Sequence, residues 1–353
     1  MRRHLTTVLI LSLLGWLNLQ EPVRKIGQVG QGLRVASVSP DGQLVVGWKA
    51  EAGGRWSYAV WQTQSGKEIV PAQLISDPPA SSNPFAWGPD GLLAVGYGDQ
   101  VALWQGGKLK RKLKADWMVR DVRFSGPTLM ARVDKGVFLW TAATGKLIWG
   151  MRQEHLLAAR LSSNGKTLAT ASLEEPIFVF DVTDKRLIGQ LPAGQATVNL
   201  EFCHQDEWLA CAFRYRSDRQ KDCALVYHWP SARPLSRPLS NPALMGFAVS
   251  QDGERLLTRS ASMVRIWEGG TGNLVHQKDL PSGAMDALSP DGRLVATVAQ
   301  GQVELWRSQD GRSLASLREA EPVTAVSLPS NGVLGVLAGS CSVYALRADW
   351  SGR

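Results

Sequence analysis

The side chains able to do chemistry are few and scattered. The five histidines, His4, His155, His204, His228 and His276, form no His-x-x-x-His pair and no other close metal-ligand spacing. Cys203, Cys211, Cys223 and Cys341 contain no Cys-x-x-Cys motif. Three of them share one stretch, so a local disulfide and buried free thiols both stay open. Gly165-Lys166-Thr167 imitates the end of a phosphate loop, but the position that needs the upstream glycine is Arg160. Gly27, Gly30 and Gly32 have the wrong spacing for a dinucleotide fingerprint, and neither a Gly-x-Ser-x-Gly elbow nor a calcium loop occurs. No catalytic, cofactor-binding or metal-ligating set emerges, and the expectation is a protein that is not an enzyme and carries no cofactor.

Charge is the more informative chemistry. The 353 residues hold 39 Lys and Arg against 31 Asp and Glu, a net charge of +8. Such a balance favours an acidic partner. Two local sets suit one. The first is Arg214, Tyr215, Arg216, Arg219 and Lys221; the second is Arg55 with Trp56. Arginine forks and aromatic rings are the side chains that anchor protein contacts. A third run, Lys108, Lys110, Lys112 and Lys114, alternates as on a strand, and lysine on an exposed strand edge blocks edge-to-edge pairing. It is read as edge protection, and no nucleic-acid partner is expected. With 44% apolar and 20% charged residues the chain is not disordered, and its length allows a substantial core.

Residues 1–20 read as an address. Met1-Arg2-Arg3-His4 is a positive start, and Leu5 to Leu19 is an apolar run shorter than a full membrane span. A secretory signal peptide is the first reading. Gln20-Glu21-Pro22-Val23 offers no small-residue cleavage site, so a short retained membrane anchor is the alternative. Either way the expectation is export: a periplasmic, secreted or membrane-anchored protein, with membrane contact only if the segment is kept.

The elements that must position these residues repeat at intervals of about 40 residues. One type of turn recurs: Ser39-Pro40-Asp41-Gly42, Gly88-Pro89-Asp90-Gly91, Ser163-Asn164-Gly165, Gln251-Asp252-Gly253, Ser289-Pro290-Asp291-Gly292 and Ser330-Asn331-Gly332. Ser125-Gly126-Pro127 and Gln205-Asp206-Glu207 are degenerate copies. Proline presets the first corner, Asp or Asn bonds back to the backbone, and Gly takes the left-handed conformation. Apolar strands flank each turn, as Val35–Val38 and Leu44–Val46 do, so each copy is a β-hairpin. A strand ending in an aromatic follows: Trp61, Trp104, Trp140, Phe180, Trp229, Trp267, Trp306 and Tyr344. A polar turn such as Thr144-Gly145-Lys146 and a short closing strand such as Arg186-Leu187-Ile188 complete the unit.

Strand, Ser-Pro-Asp-Gly, strand, then a strand ending in Leu-Trp, then Thr-Gly-Lys: this order resembles the WD-repeat β-propeller family in its bacterial form, over residues 24–347. The resemblance implies an all-β propeller of four-stranded blades. Eight in-phase units predict eight blades, with seven as the alternative if the irregular fifth unit is a loop insertion. The last unit lacks its outer strand, whereas Lys25-Ile26-Gly27-Gln28-Val29 is an orphan that matches the closing strand Leu187–Leu191. The N-terminal strand should therefore complete the last blade, as the family does, leaving residues 348–353 as a tail. The chain departs from the eukaryotic pattern: the opening Gly-His pair is missing, and only Phe180-Asp181 keeps an Asp after the aromatic. The buried Asp–His–Ser–Trp network of that pattern is not expected here, and the blades should hold by apolar packing with Trp as the wedge.

In such a fold the recurring turns lie on one face. Loops between second and third strands, and between blades, lie on the other. Both cationic sets fall on second-to-third-strand loops, and Pro-rich connections run from Asp77 to Pro84 and from Arg233 to Pro242. Long loops on a rigid scaffold are where recognition sits. The expected role is a non-catalytic, monomeric interaction scaffold for an acidic protein partner. The alternative is a small ligand, or a reaction, at the central channel.

Overall fold

The computed structural model describes residues 23–75, 84–193, 196–215, 218–281, 285–330 and 332–346. The leader reading of residues 1–20, the tail at 348–353 and Arg216 lie outside the described residues. Among those described, the chain forms eight antiparallel sheets arranged as blades. From axis to rim, blade 1 is Leu33–Val38, Leu44–Ala50, Trp56–Gln62 and Glu68–Ile75. Blade 2 is Phe85–Trp87, Leu93–Tyr97, Gln100–Gln105 and Lys108–Lys114. Blades 3 to 7 repeat the order, their inner strands being Val119–Ser125, Leu156–Leu161, Ala196–Cys203, Gly246–Val249 and Met285–Leu288.

Blade 8 closes the ring as expected. Its inner three strands are Ala325–Ser330, Val333–Ala338 and Ser340–Leu346, and its rim strand is Val23–Val29 from the other end of the chain. The register runs antiparallel from Val23 opposite Leu346 to Val29 opposite Cys341. The fifth unit is a blade, so the ring has eight members.

The hairpin turns show why their sequence recurs. In blade 1 the Ser39 hydroxyl donates to Asp41 Oδ1 at 2.6 Å, and that oxygen also accepts the Gln43 N–H at 3.0 Å. The Leu44 N–H returns to Ser39 Oγ at 2.9 Å. Ser162 with Asn164, Ser250 with Asp252 and Ser289 with Asp291 repeat the arrangement. The serine is thus as much a part of the turn as the acid, because it satisfies a backbone donor that would otherwise be buried. Gly42 sits at φ +72°, which only glycine adopts without strain.

The core is divided into eight apolar clusters, one at each junction between consecutive blades. The cluster of Val29, Leu33, Val38, Val45, Val333, Leu337 and Val343 joins blade 8 to blade 1. The seam is therefore packed like every other junction, which is what closure requires. Trp104, Trp140, Trp267 and Trp306 are buried wedges, while Trp61 and Trp229 are half-buried. Part of a polar pattern survives: the indoles of Trp267 and Trp306 donate to Thr258 (2.7 Å) and Thr297 (3.2 Å) on the neighbouring strand.

One expectation is corrected. The stretch from Arg233 to Pro242 is not a connection between blades. Arg233–Pro234 and Leu239–Ser240 both pair with the third strand of blade 5, so the stretch is that blade's rim strand in two pieces. Pro234 and Pro238 lack the N–H groups a continuous ladder needs. The Ser236 hydroxyl takes over, accepting the Val226 N–H at 3.1 Å.

Candidate functional site

Both cationic sets stand on the face opposite the recurring turns. In blade 5, Trp208–Arg214 and Cys223–His228 are joined through a short 3-10 turn at Arg219–Lys221, capped by Asp218. The loop is organised by Asp222, which is fully buried. Its carboxylate accepts the N–H of Tyr215 at 2.8 Å, the N–H of Leu244 at 3.0 Å and the guanidinium of Arg219. Arg214 Nε and Arg219 Nη2 both donate to the Leu244 carbonyl, at 3.0 and 3.1 Å. Burial holds the Arg214 guanidinium below its ordinary pKa, and the Arg219 charge beside it adds to the effect.

The two arginines therefore bind the loop to the entry of blade 6 instead of reaching outward. Tyr215 is half-buried against the cluster containing Phe213 and Tyr227, and burial raises its phenol pKa. Lys221 is the most exposed of the described cations in the set: its side chain is 69% accessible, against 45% for Arg219, and holds Asp218 only loosely, at 3.6 Å.

In blade 1 the loop after Leu44–Ala50 turns through Gly53 and Gly54, both at φ +74°. The Glu51 N–H donates to the Arg55 carbonyl at 2.8 Å, closing the loop on itself. Arg55 is exposed. Trp56 opens the third strand between Ala50 and Ile75 and leans half-buried on the cluster of Trp48 and Tyr58. Blades 1 and 5 lie four places apart in a ring of eight, so the two sets face each other across the axis and do not merge into one patch.

The strongest polar assembly was not foreseen from the sequence. It lies on the inner strands of blades 3, 4 and 5. Arg160 bonds Glu201 at 2.8 Å and Asp121 at 3.3 Å, and Arg123 bonds the same two carboxylates at 3.2 Å each. The four charges form a closed circuit across three blades. Arg160 also donates to Asn199 Oδ1 at 3.0 Å and to its neighbour's carbonyl at Ala159. Arg160 and Asp121 are nearly buried, with 9% and 8% of their side chains accessible. Burial alone would raise the Glu201 carboxyl, but the Arg160 and Arg123 charges outweigh it and hold the group below its usual value.

A second pair, Arg259 on the second strand of blade 6 with Asp286 on the inner strand of blade 7, ties those two blades together. Between the inner strands of blades 8 and 1 lies a cavity of about 330 Å³ lined by Arg34, Ala36, Thr324 and Ser327 among others. A signal for the circuit exists in retrospect: charged residues interrupt otherwise apolar inner strands at 121, 123, 160 and 201. Among the described residues no group of three His, Cys, Asp or Glu side chains is placed to hold a metal. The four cysteines are buried free thiols.

Neither a protein-family model nor a curated protein matches the sequence. Solved structures do match in shape. The C-terminal WD40 domain of Sif2 superposes with a TM-score of 0.70 at 15% identity, covering 92% of this chain and 99% of that one. The β-propeller domain of Cps50 (Swd1) from Myceliophteria thermophila gives a TM-score of 0.56 at 11% identity, covering 92% and 100%. Taken with the eight packed junctions and the shared last blade, these likenesses show that the chain has the fold of a WD40 β-propeller.

Proposed function

We propose that this propeller is an exported, non-catalytic scaffold that binds an acidic protein partner through its loop face. The observation that carries the reading is the blade 5 loop, whose described residues are tied down by a buried carboxylate and two arginines, with Lys221 the most exposed of their cations. A loop already ordered loses little conformational entropy on binding. Arg214 and Arg219 are positioning residues in this reading, and Lys221, Arg55 and Trp56 are the contacts. Support for the scaffold role comes from the resemblance to WD-repeat propellers, including the bacterial type with Ser-Pro-Asp-Gly turns, and support for export comes from the Met1–Leu19 pattern. The propeller acts as a monomer in this reading.

The test is a pull-down from the source cells, preceded by fractionation. Wild type is compared with an Arg214/Arg216/Arg219→Ala variant and with Lys221→Glu/Arg55→Glu, which removes the loose Lys221–Asp218 pair and keeps the hydrogen bonds of Asp222, Arg214 and Arg219. Loss of the same partner from both variants, with unchanged melting of the second, supports the reading. Identical partner lists, or recovery of the protein only from cytosol, overturn it. The cavity between blades 8 and 1 favours a second reading, a small ligand held near the axis. A metabolite screen by thermal shift, with Arg34→Ala as the control, decides for that reading if a compound stabilises wild type alone.

A further inference from the structure

The rim of blade 2 is unlike every other rim. Its outer strand, Lys108–Lys114, reads Lys-Leu-Lys-Arg-Lys-Leu-Lys and exposes all but one of its seven residues. It carries five cations and no acid, whereas no other described rim strand carries more than two cations. Among the described residues Lys108, Lys110 and Lys112 make no ion pair within 4 Å, and Lys114 only reaches Asp116 at 4.0 Å. Protection against edge-to-edge pairing explains a lysine or two. It does not explain five on one blade, because the remaining rims manage with a proline such as Pro71 or with one or two charges.

The placement of the cations narrows what they could hold. Lys112 borders the cleft towards blade 1, which is lined by Tyr58, Leu74, Tyr97, Trp104 and Leu109 and has a volume of about 320 Å³. Lys110 and Arg111 border the hollow towards blade 3, where Arg111 also donates to the Ala143 carbonyl at 3.2 Å. The charges therefore splay to both sides of a line of backbone groups that face no further strand. A flat anionic surface meets only the outermost of them. A β-strand laid along the edge matches all of them, because its side chains alternate to both faces while its backbone completes the ladder.

We propose that the rim strand Lys108–Lys114 is a binding site for an extended acidic peptide segment, which joins blade 2 as a fifth strand. Opposite charges directly across the ladder stabilise that pairing, and lysine opposite lysine excludes a second copy of the same edge. The strand reads the same in both directions, so the complementary pattern Glu-Val-Glu-Glu-Glu-Val-Glu fits it parallel or antiparallel. In either orientation a valine falls opposite Leu109 at the apolar cleft. The site is on the rim, away from the loop face, so either proposal can fail while the other stands.

The experiment measures fluorescence anisotropy of the intact protein with a labelled Glu-Val-Glu-Glu-Glu-Val-Glu peptide. Companion probes are the same peptide N-methylated at alternate residues, coil-forming polyglutamate and phosphatidylglycerol vesicles. Replacing Lys108, Lys110, Lys112 and Lys114 by Gln weakens the unmodified peptide by roughly tenfold or more, since charge-assisted contacts are lost. N-methylation weakens it by a similar factor, of the order of tenfold, because the ladder bonds are lost. Arg186→Gln on the rim of blade 4 changes nothing, and the exposed substitutions leave the melting curve in place. Equal binding of the N-methylated peptide overturns strand addition. So does binding of polyglutamate or vesicles without binding of the peptide, or undiminished peptide binding by the quadruple variant.

Discussion

Replacing Glu201 by Gln should destabilise the ring in a way that depends on pH. In the native protein Glu201 neutralises half the positive charge of the inner-strand circuit, at 2.8 Å from Arg160 and 3.2 Å from Arg123. The glutamine keeps the shape and loses the charge, leaving two guanidiniums on Asp121 alone. Removing one partner of a buried pair costs about 3–5 kcal/mol, and an exposed pair contributes about 0–1 kcal/mol. Arg160 is 9% accessible and Glu201 27%, so the site lies between these limits, nearer the buried one. The expected loss at neutral pH is about 3 kcal/mol, seen as a lower urea midpoint and a melting point reduced by about 4 °C. The sign of the pH dependence follows from the direction of the shift. The folded carboxyl titrates below its unfolded value of about 4.3, so its contribution is complete above that value and disappears as the pH falls through the lower, native one. The gap between wild type and variant should therefore be flat from about pH 7 to pH 5 and close at more acidic pH. A gap absent at neutral pH, or equally large in acid, refutes the circuit as a charged unit. A double-mutant cycle with Arg123→Gln then isolates the coupling, which should be favourable.

Two further outcomes are expected. The thiols of Cys203 and Cys341 are pushed up to about 12 and that of Cys223 to about 11, each chiefly by burial, and burial also raises Cys211. Ellman's reagent at about pH 8 should label none of them quickly in the native protein and all of them after unfolding in guanidinium; a missing pair after unfolding would mean a disulfide instead. Gly27→Ala should destabilise the seam by about 2 kcal/mol through overpacking, since an added Cβ would lie 2.0 Å from the Thr63 carbonyl oxygen of blade 1. Gly189→Ala, in the matching Ile-Gly-Gln of blade 4, is the control: its Cβ meets only Val179 at 3.8 Å, so equal melting points for the two variants would contradict the packed seam.

The parts of the molecule legible in the sequence are those made by neighbours in the chain. Ser39, Pro40, Asp41 and Gly42 build their turn almost alone, so repeated copies disclose the blades. The match of Lys25–Val29 to Leu187–Leu191 reveals the closing strand because both occupy the same rim position. What the sequence hid is made by residues far apart in it. Arg160 meets Asp121, Asn199 and Glu201 only because three inner strands converge on the axis, and nothing local to any of them says which way it faces. Asp222 was overshadowed by the arginines around it for the same reason: a carboxylate inside a basic loop looks like solvated surface until burial shows it accepting three bonds. The rim strand of blade 5 passed for a linker because Pro234 and Pro238 are linker signals, and the Ser236 hydroxyl that replaces a ladder bond carries no pattern of its own.

The distribution of polar contacts also makes the ring unequal around its axis. Blades 3, 4 and 5 are cross-linked at their inner ends by the four-charge circuit, and blades 6 and 7 by Arg259 with Asp286. Blades 8, 1 and 2 meet through apolar and aromatic contacts with single hydrogen bonds among them, as from Trp87 to Ser37 and from Trp104 to Tyr58 at 3.2 Å each, and blades 8 and 1 enclose the cavity beside Arg34. Ionic cross-links with several hydrogen bonds resist local opening more than apolar surfaces that can slide, and regions of lower local stability open first. Blade 5 therefore presents its loop from the stiff side, as a preset contact surface requires, while blade 2 presents its cationic rim from the side where no ion pair joins the blades among the described residues. Amide exchange should register the difference directly: protection at the inner strands of blades 3 to 5 should exceed that at blades 8, 1 and 2, and Glu201→Gln should lower the former without touching the latter.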